Sequence, residues 1–86
     1  MEIEYSKKAV KFINSMDTVT KKRIKAGIEG LIKEPPQGDI KRLQGYDDGR
    51  KRLGIGKYRI IYNYYEKGII EILYIMDIDS RGDIYK

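Results

Sequence analysis

The hydrophobic period of this chain changes once, at Pro35-Pro36, and that change limits the folds open to it. Before the prolines, apolar residues recur every three to four positions; after Gly38 they alternate. A helix-period half followed by a strand-period half describes an α+β domain. Residues 2–5 (Glu-Ile-Glu-Tyr) alternate and predict a short first strand. Ser6 can cap a helix by accepting hydrogen bonds from its unpaired N–H groups. Ala9, Phe12, Ile13 and Met16 then share one helical face. Asp17 or Thr18 opens a second helix with an apolar stripe of Ile24, Ile28, Leu31 and Ile32. Lys21, Lys22, Arg23 and Lys25 point largely elsewhere. Proline lacks the N–H donor and clashes with the preceding turn, so Pro35-Pro36, followed by Gln37-Gly38, ends that helix.

Residues 50–55 and 58–65 read as strands, the second rich in β-branched and aromatic residues. Glu66-Lys67-Gly68 predicts a tight turn into a third strand over 69–78, the most apolar and the expected centre of the sheet. The order β-α-α-β-β-β predicts an N-terminal strand and a two-helix hairpin packed on a twisted, mostly antiparallel sheet, in a single domain spanning residues 1–86. A chain this short buries only about 60% of its unfolded surface, so any site is expected in a surface groove.

Composition narrows the chemistry. There is no cysteine and no histidine. Disulfides, thiolate metal sites and histidine-based nucleophile systems are therefore excluded. Any catalysis has to run on Arg, Lys, Tyr, Asp, Glu, Ser and Thr. No charged-then-apolar leader is visible, and the apolar stretch from Ile69 to Ile78 contains Glu71 and Asp77 and is too short to span a bilayer. The expectation is a cytoplasmic protein with no membrane partner.

The excess charge is concentrated. Lys41, Arg42, Arg50, Lys51, Arg52, Lys57 and Arg59 face only Asp47 and Asp48 between residues 41 and 59, and this local excess equals the whole-chain net charge of +5. Strand alternation puts Arg50 and Arg52 on one face and Leu53 and Ile55 on the other. Likewise Arg59 goes with Ile61, Asn63 and Tyr65, opposite Tyr58, Ile60, Tyr62 and Tyr64. A sheet with helices on one side and arginines on the other presents a cationic surface suited to phosphate. The same pattern also fits an ordinary solvated face, and charge alone does not separate the two. Tyr58 and Tyr62 read as packing residues. Asp47 and Asp48 read as shaping a turn with Gly49.

The ordered motifs add a resemblance. Leu43-Gln44-Gly45 precedes Arg50-Lys51-Arg52-Leu53, then Gly56-Lys57-Tyr58-Arg59-Ile60-Ile61-Tyr62, a hydrophobic strand, and Ser80-Arg81-Gly82-Asp83-Ile84-Tyr85. Taken together, over nearly the whole chain, these resemble the RelE/ParE toxin superfamily. The resemblance implies a RelE-like fold and the toxin role of a type II toxin–antitoxin system. RelE-type members cleave mRNA in the ribosomal A site; ParE-type members poison DNA gyrase without nuclease activity. Either kind is neutralised by an antitoxin, here expected to be RelB-like, so ribosome, mRNA and antitoxin are the implied partners. The implied catalytic set is Arg50, Arg52, Arg59, Arg81 and Tyr85. Arg50 and Arg52 stand where the best-known members carry lysines, Arg59 matches the arginine that grips phosphate, and Arg81 matches an arginine near the C-terminus. Tyr85 matches a tyrosine that RelE enzymes use and ParE proteins commonly lack, which favours the nuclease. Lys41, Arg42, Lys51 and Lys57 are the accompanying RNA-binding candidates.

The implied reaction is attack of a ribose 2′-OH on the adjacent phosphorus, leaving a 2′,3′-cyclic phosphate and a free 5′-OH. It needs a base, stabilisation of charge on the phosphorane, and a cation or proton for the leaving oxygen. Tyr85 is the candidate base. A free tyrosine has a pKa of about 10, and arginines close by would favour its phenolate. Arg59 would hold the phosphate, Arg50 and Arg52 the developing charge, and Arg81 the leaving oxygen, unless Arg81 only pairs with Asp79 or Asp83. Arginine supplies the positive charge, so no metal or other cofactor is expected.

Overall fold

The structure, a computed structural model, describes residues 1–43, 45 and 48–80. Its elements run β1 (Glu2–Tyr5), α1 (Lys7–Asn14), α2 (Thr18–Gly30), β2 (Asp39–Arg42), β3 (Lys51–Ile55), β4 (Tyr58–Lys67) and β5 (Ile70–Ser80). Both helix starts are capped as the sequence predicts. Ser6 Oγ accepts from the Ala9 N–H at 3.1 Å and donates to the Met76 carbonyl at 2.7 Å, so one hydroxyl starts α1 and fastens it to β5. Asp17 Oδ1 accepts from the Thr20 N–H at 2.8 Å and starts α2. Beyond α2 the chain turns back through Leu31, the Gln37 N–H donating to the Gly30 carbonyl at 2.9 Å.

The expected order holds with one strand added. Asp39–Arg42 pairs antiparallel with β3, although these four residues are too short and too charged to stand out from a loop in sequence. Among the described residues the sheet has five strands in the order β1-β5-β4-β3-β2, with β1 parallel to β5 and every other pair antiparallel. Because β2 extends the far side, β4 is the middle strand. β5, expected at the centre, lies inside the sheet between β1 and β4. The β4–β5 turn is also tighter than predicted. Lys67 pairs with Ile70, leaving Gly68-Ile69 as the turn, and Gly68 supplies the positive φ (64°) that a primed hairpin turn requires at its first central position.

Both helices cover one face of the sheet. Leu53, Ile60, Tyr62, Leu73, Ile75 and Ile78 from the strands pack with Ala9, Ile24, Ile28 and Leu31 in one buried cluster. Tyr62 is only 1% exposed, as its packing assignment requires. Tyr58 stacks edge-on against Phe12 at 6.1 Å. The Tyr64 hydroxyl donates to the Leu31 carbonyl at 2.7 Å and ties the sheet to the end of α2.

One irregularity positions the site. Ile61 pairs with Asp77 but Tyr62 pairs with Ile75, so β5 carries an extra residue, Met76. Strict alternation after Leu73 and Ile75 would carry Asp77 and Asp79 into the core. The bulge instead buries Ile78 and leaves Asp77 and Asp79 on the face away from the helices. Among the described residues, no helix is long and apolar enough to cross a membrane.

Candidate functional site

The face free of helices gathers three of the five predicted arginines, Arg50 just before β3, Arg52 in β3 and Arg59 in β4. Arg52 pairs with Ile61, and Gly54 pairs with Arg59, so Arg52 and Arg59 are diagonal neighbours on this face. Lys41 pairs with Arg52 and joins them. Arg50 lies one step before β3, where the Leu43 N–H meets its carbonyl at 3.4 Å. Arg50 and Arg59 line one groove of about 500 Å³ together with Lys8, Leu43, Ile61, Met76, Asp77 and Asp79.

The other cationic candidates separate from this group. Lys51 pairs with Tyr62, and its Nζ lies 5.9 Å from the centre of the Tyr64 ring, on the helix side of the sheet. Arg42 pairs with Lys51 and shares that side. Lys57 sits in the β3–β4 turn with Nζ 5.5 Å from the Tyr58 ring centre. Of seven cations that look continuous in sequence, strand alternation divides six between two faces and the β3–β4 turn carries Lys57. Arg81, Tyr85 and Asp47 lie outside the described residues.

The groove is not purely cationic. Arg59 binds Asp79 through Nε to Oδ1 at 3.3 Å and through Nη2 to Oδ2 at 3.1 Å. Arg50 grips Asp48 through Nε and Nη2, with its shortest contact 2.7 Å to Oδ2. These side-chain hydrogen bonds from Arg50 hold the Asp48 carboxyl below the ordinary aspartate range. Asn63 Nδ2 donates to the Asp48 carbonyl at 2.8 Å and steadies the loop that carries it. Lys8 reaches Asp77 Oδ2 at 3.2 Å, while Asp77 Oδ1 is buried with no hydrogen-bond partner among the described residues. An incoming phosphate would meet guanidinium groups already oriented by carboxylates, and would have to compete with them.

Asp77 and Asp79 line the groove and Asp48 holds Arg50; sequence reasoning gave none of the three a place in the site. Asp48 could be read two residues from Arg50 on a turn. Asp77 and Asp79 face the groove because of the Met76 bulge, whose signal in sequence is the shift of the apolar positions from Leu73 and Ile75 to Ile78.

The family model described as ParE toxin of type II toxin-antitoxin system, parDE, matches residues 3–85. Among solved structures, the fold is similar to the RelE–RelB complex of Pyrococcus horikoshii, with 23% identity over 94% of each chain and a TM-score of 0.69. It is similar to the RelB–RelE antitoxin–toxin complex of Methanococcus jannaschii, with 27% identity, 95% of this chain and 94% of that chain covered, and a TM-score of 0.66. The intact RelBE toxin–antitoxin complex of E. coli shares the fold at 13% identity, with 92% and 94% covered and a TM-score of 0.62. No curated protein sequence matches the chain. A family match over almost the whole length, on a fold shared with RelE toxins, places this chain in the ParE toxin family of the RelE/ParE superfamily, as a type II toxin–antitoxin toxin.

Proposed function

We propose that the chain is a metal-independent endoribonuclease that cuts mRNA on the ribosome by attack of the 2′-OH on the adjacent phosphorus. The observation that carries this reading is the convergence of Arg50, Arg52 and Arg59 on the helix-free face, two of them lining one groove. Arg59 grips the scissile phosphate, exchanging Asp79 for substrate oxygens. Arg50 and Arg52 stabilise charge on the phosphorane. Tyr85 takes the 2′-OH proton, and Arg81 stabilises the leaving 5′-oxygen. Lys41, on the same face, holds a flanking phosphate. Arg42, Lys51 and Lys57 serve the RNA only where it passes round the sheet edge. A RelB-like antitoxin is the proposed partner, since the three structural relatives above are complexes of that kind.

Primer extension on mRNA with ribosomes tests the reading. The chain should produce discrete cuts with cyclic-phosphate ends, and Tyr85→Phe or Arg81→Ala should remove them. A second reading is favoured by the family match itself: ParE-like, non-enzymatic inhibition of DNA gyrase. Intact mRNA together with trapped gyrase–DNA complexes would establish that reading and refute the nuclease.

A further inference from the structure

A groove of about 870 Å³, larger than the one at Arg59, lies where α1, α2 and the β3–β4 turn meet. Phe12, Asp17, Arg23, Lys57, Tyr58 and Ser80 are in its lining. Tyr58 pairs with Ser80, and Arg59 pairs with Asp79. Side chains of consecutive residues point to opposite faces, so the two grooves sit back to back at one end of the sheet.

The cations of this second groove differ in state from those at Arg59. Arg50 and Arg59 are each held by a carboxylate. Among the described residues, neither Arg23 nor Lys57 closes a salt bridge. Gly56 brings the two together. Its φ of 57° forms the turn that carries Lys57, and a Cβ added there would stand 3.1 Å from Arg23 Nη2. The Arg23 guanidinium from α2 thus packs against that turn. Asp17, the one carboxylate among the lining residues, already accepts from the Thr20 N–H at 2.8 Å. Two cations against one engaged carboxylate leave the groove positive.

The other wall is aromatic. Half-buried Tyr58 meets Phe12 edge-on at 6.1 Å, and Lys57 Nζ lies 5.5 Å from the Tyr58 ring centre. A bare anion would use the cations and leave this wall uncovered. A phosphate joined to a planar base would use both.

We propose that this groove is a second site, for a nucleoside monophosphate unit: Arg23 and Lys57 hold its phosphate and Tyr58 takes its base. The unit arrives as a free nucleotide or as one residue of an RNA strand rounding the β3–β4 turn from Arg59. The recognition chemistry is the same in both cases, and the inference does not depend on cleavage.

The test is NMR titration of the full-length chain at low salt with adenosine 5′-monophosphate and with ribose 5-phosphate, which lacks the base. The nucleotide should bind about fivefold to tenfold more tightly and shift the Gly56 and Lys57 amides. Arg23→Gln should weaken both ligands about tenfold and keep the preference for the base. Tyr58→Leu, with its fold confirmed by the amide spectrum, should remove that preference and keep phosphate binding. A hexanucleotide methylated at every 2′-oxygen, which has no hydroxyl to attack phosphorus, separates the two sources. If the unit belongs to a strand, the hexamer shifts Gly56 and Lys57, and Arg23→Gln lowers the salt slope of its binding by about one. If it is a free nucleotide, the hexamer leaves those amides unmoved; either result supports the site. Equal binding of nucleotide and ribose 5-phosphate by the unaltered chain overturns the proposal. So does full affinity in Arg23→Gln, or shifts confined to the Arg59 face. Binding is read without cleavage, so failure of the nuclease reading is seen separately.

Discussion

Arg59 is already engaged before any substrate arrives, and the geometry of its partner decides what it can do. Asp79 fixes the guanidinium through two hydrogen bonds on a half-buried surface, which aims it into the groove. On the proposed nuclease reading it would also compete with phosphate for the same donors. Asp79→Asn should therefore raise affinity for a short oligoribonucleotide by ~3- to 10-fold at low salt. Filter binding across a salt series measures this; unchanged affinity would show that the Asp79 carboxylate does not compete. The arginines were legible from sequence because strand alternation and the Tyr-Arg-Ile-Ile-Tyr segment mark them. Their carboxylate partners were not, since Arg59 and Asp79 meet only through a ladder between residues twenty positions apart and a bulge that re-aims one strand.

At the scale of elements, the fold was largely readable because its signals are local. A change of hydrophobic period, two caps and a proline break fix β1, α1, α2 and the last three strands. β2 was missed because it is short, charged and held by pairing with β3 rather than by its own propensity. The Ser6 hydroxyl tests how tightly one helix depends on the sheet. Ser6→Ala removes both the α1 cap and the bond to Met76, and should lower stability by about 1–2 kcal/mol. Leu53, buried between β3 and the helices, should cost more. Leu53→Ala leaves a cavity under Gly38, whose added Cβ would already meet the Leu53 side chain, and a loss of about 2–5 kcal/mol is expected. Denaturant midpoints at constant m-value check both.

At the scale of the whole molecule, the phenols make stability depend on alkaline pH. Burial pushes the Tyr62 hydroxyl well above its ordinary value, and burial also raises Tyr5 and Tyr64, with Glu29 adding to the first and Glu71 and Glu34 to the second. The unfolded chain then ionises first. The stabilisation is complete below the unfolded tyrosine pKa of about 10 and falls as pH rises through it. Denaturation midpoints should be flat toward neutrality and decline above about pH 10; a midpoint that rose there would contradict this. On the proposed nuclease reading, function at the same scale rests on the sheet's two unlike faces, one packed with helices and one presenting Arg50, Arg52 and Arg59. The most direct measurement is single-turnover cleavage of ribosome-bound mRNA by the Arg59→Ala protein, with folding confirmed by its denaturation midpoint. The rate should fall by about 10²- to 10³-fold while cyclic-phosphate ends persist in whatever product remains; a folded variant that cuts at the unaltered rate would contradict the assignment of phosphate binding to this face.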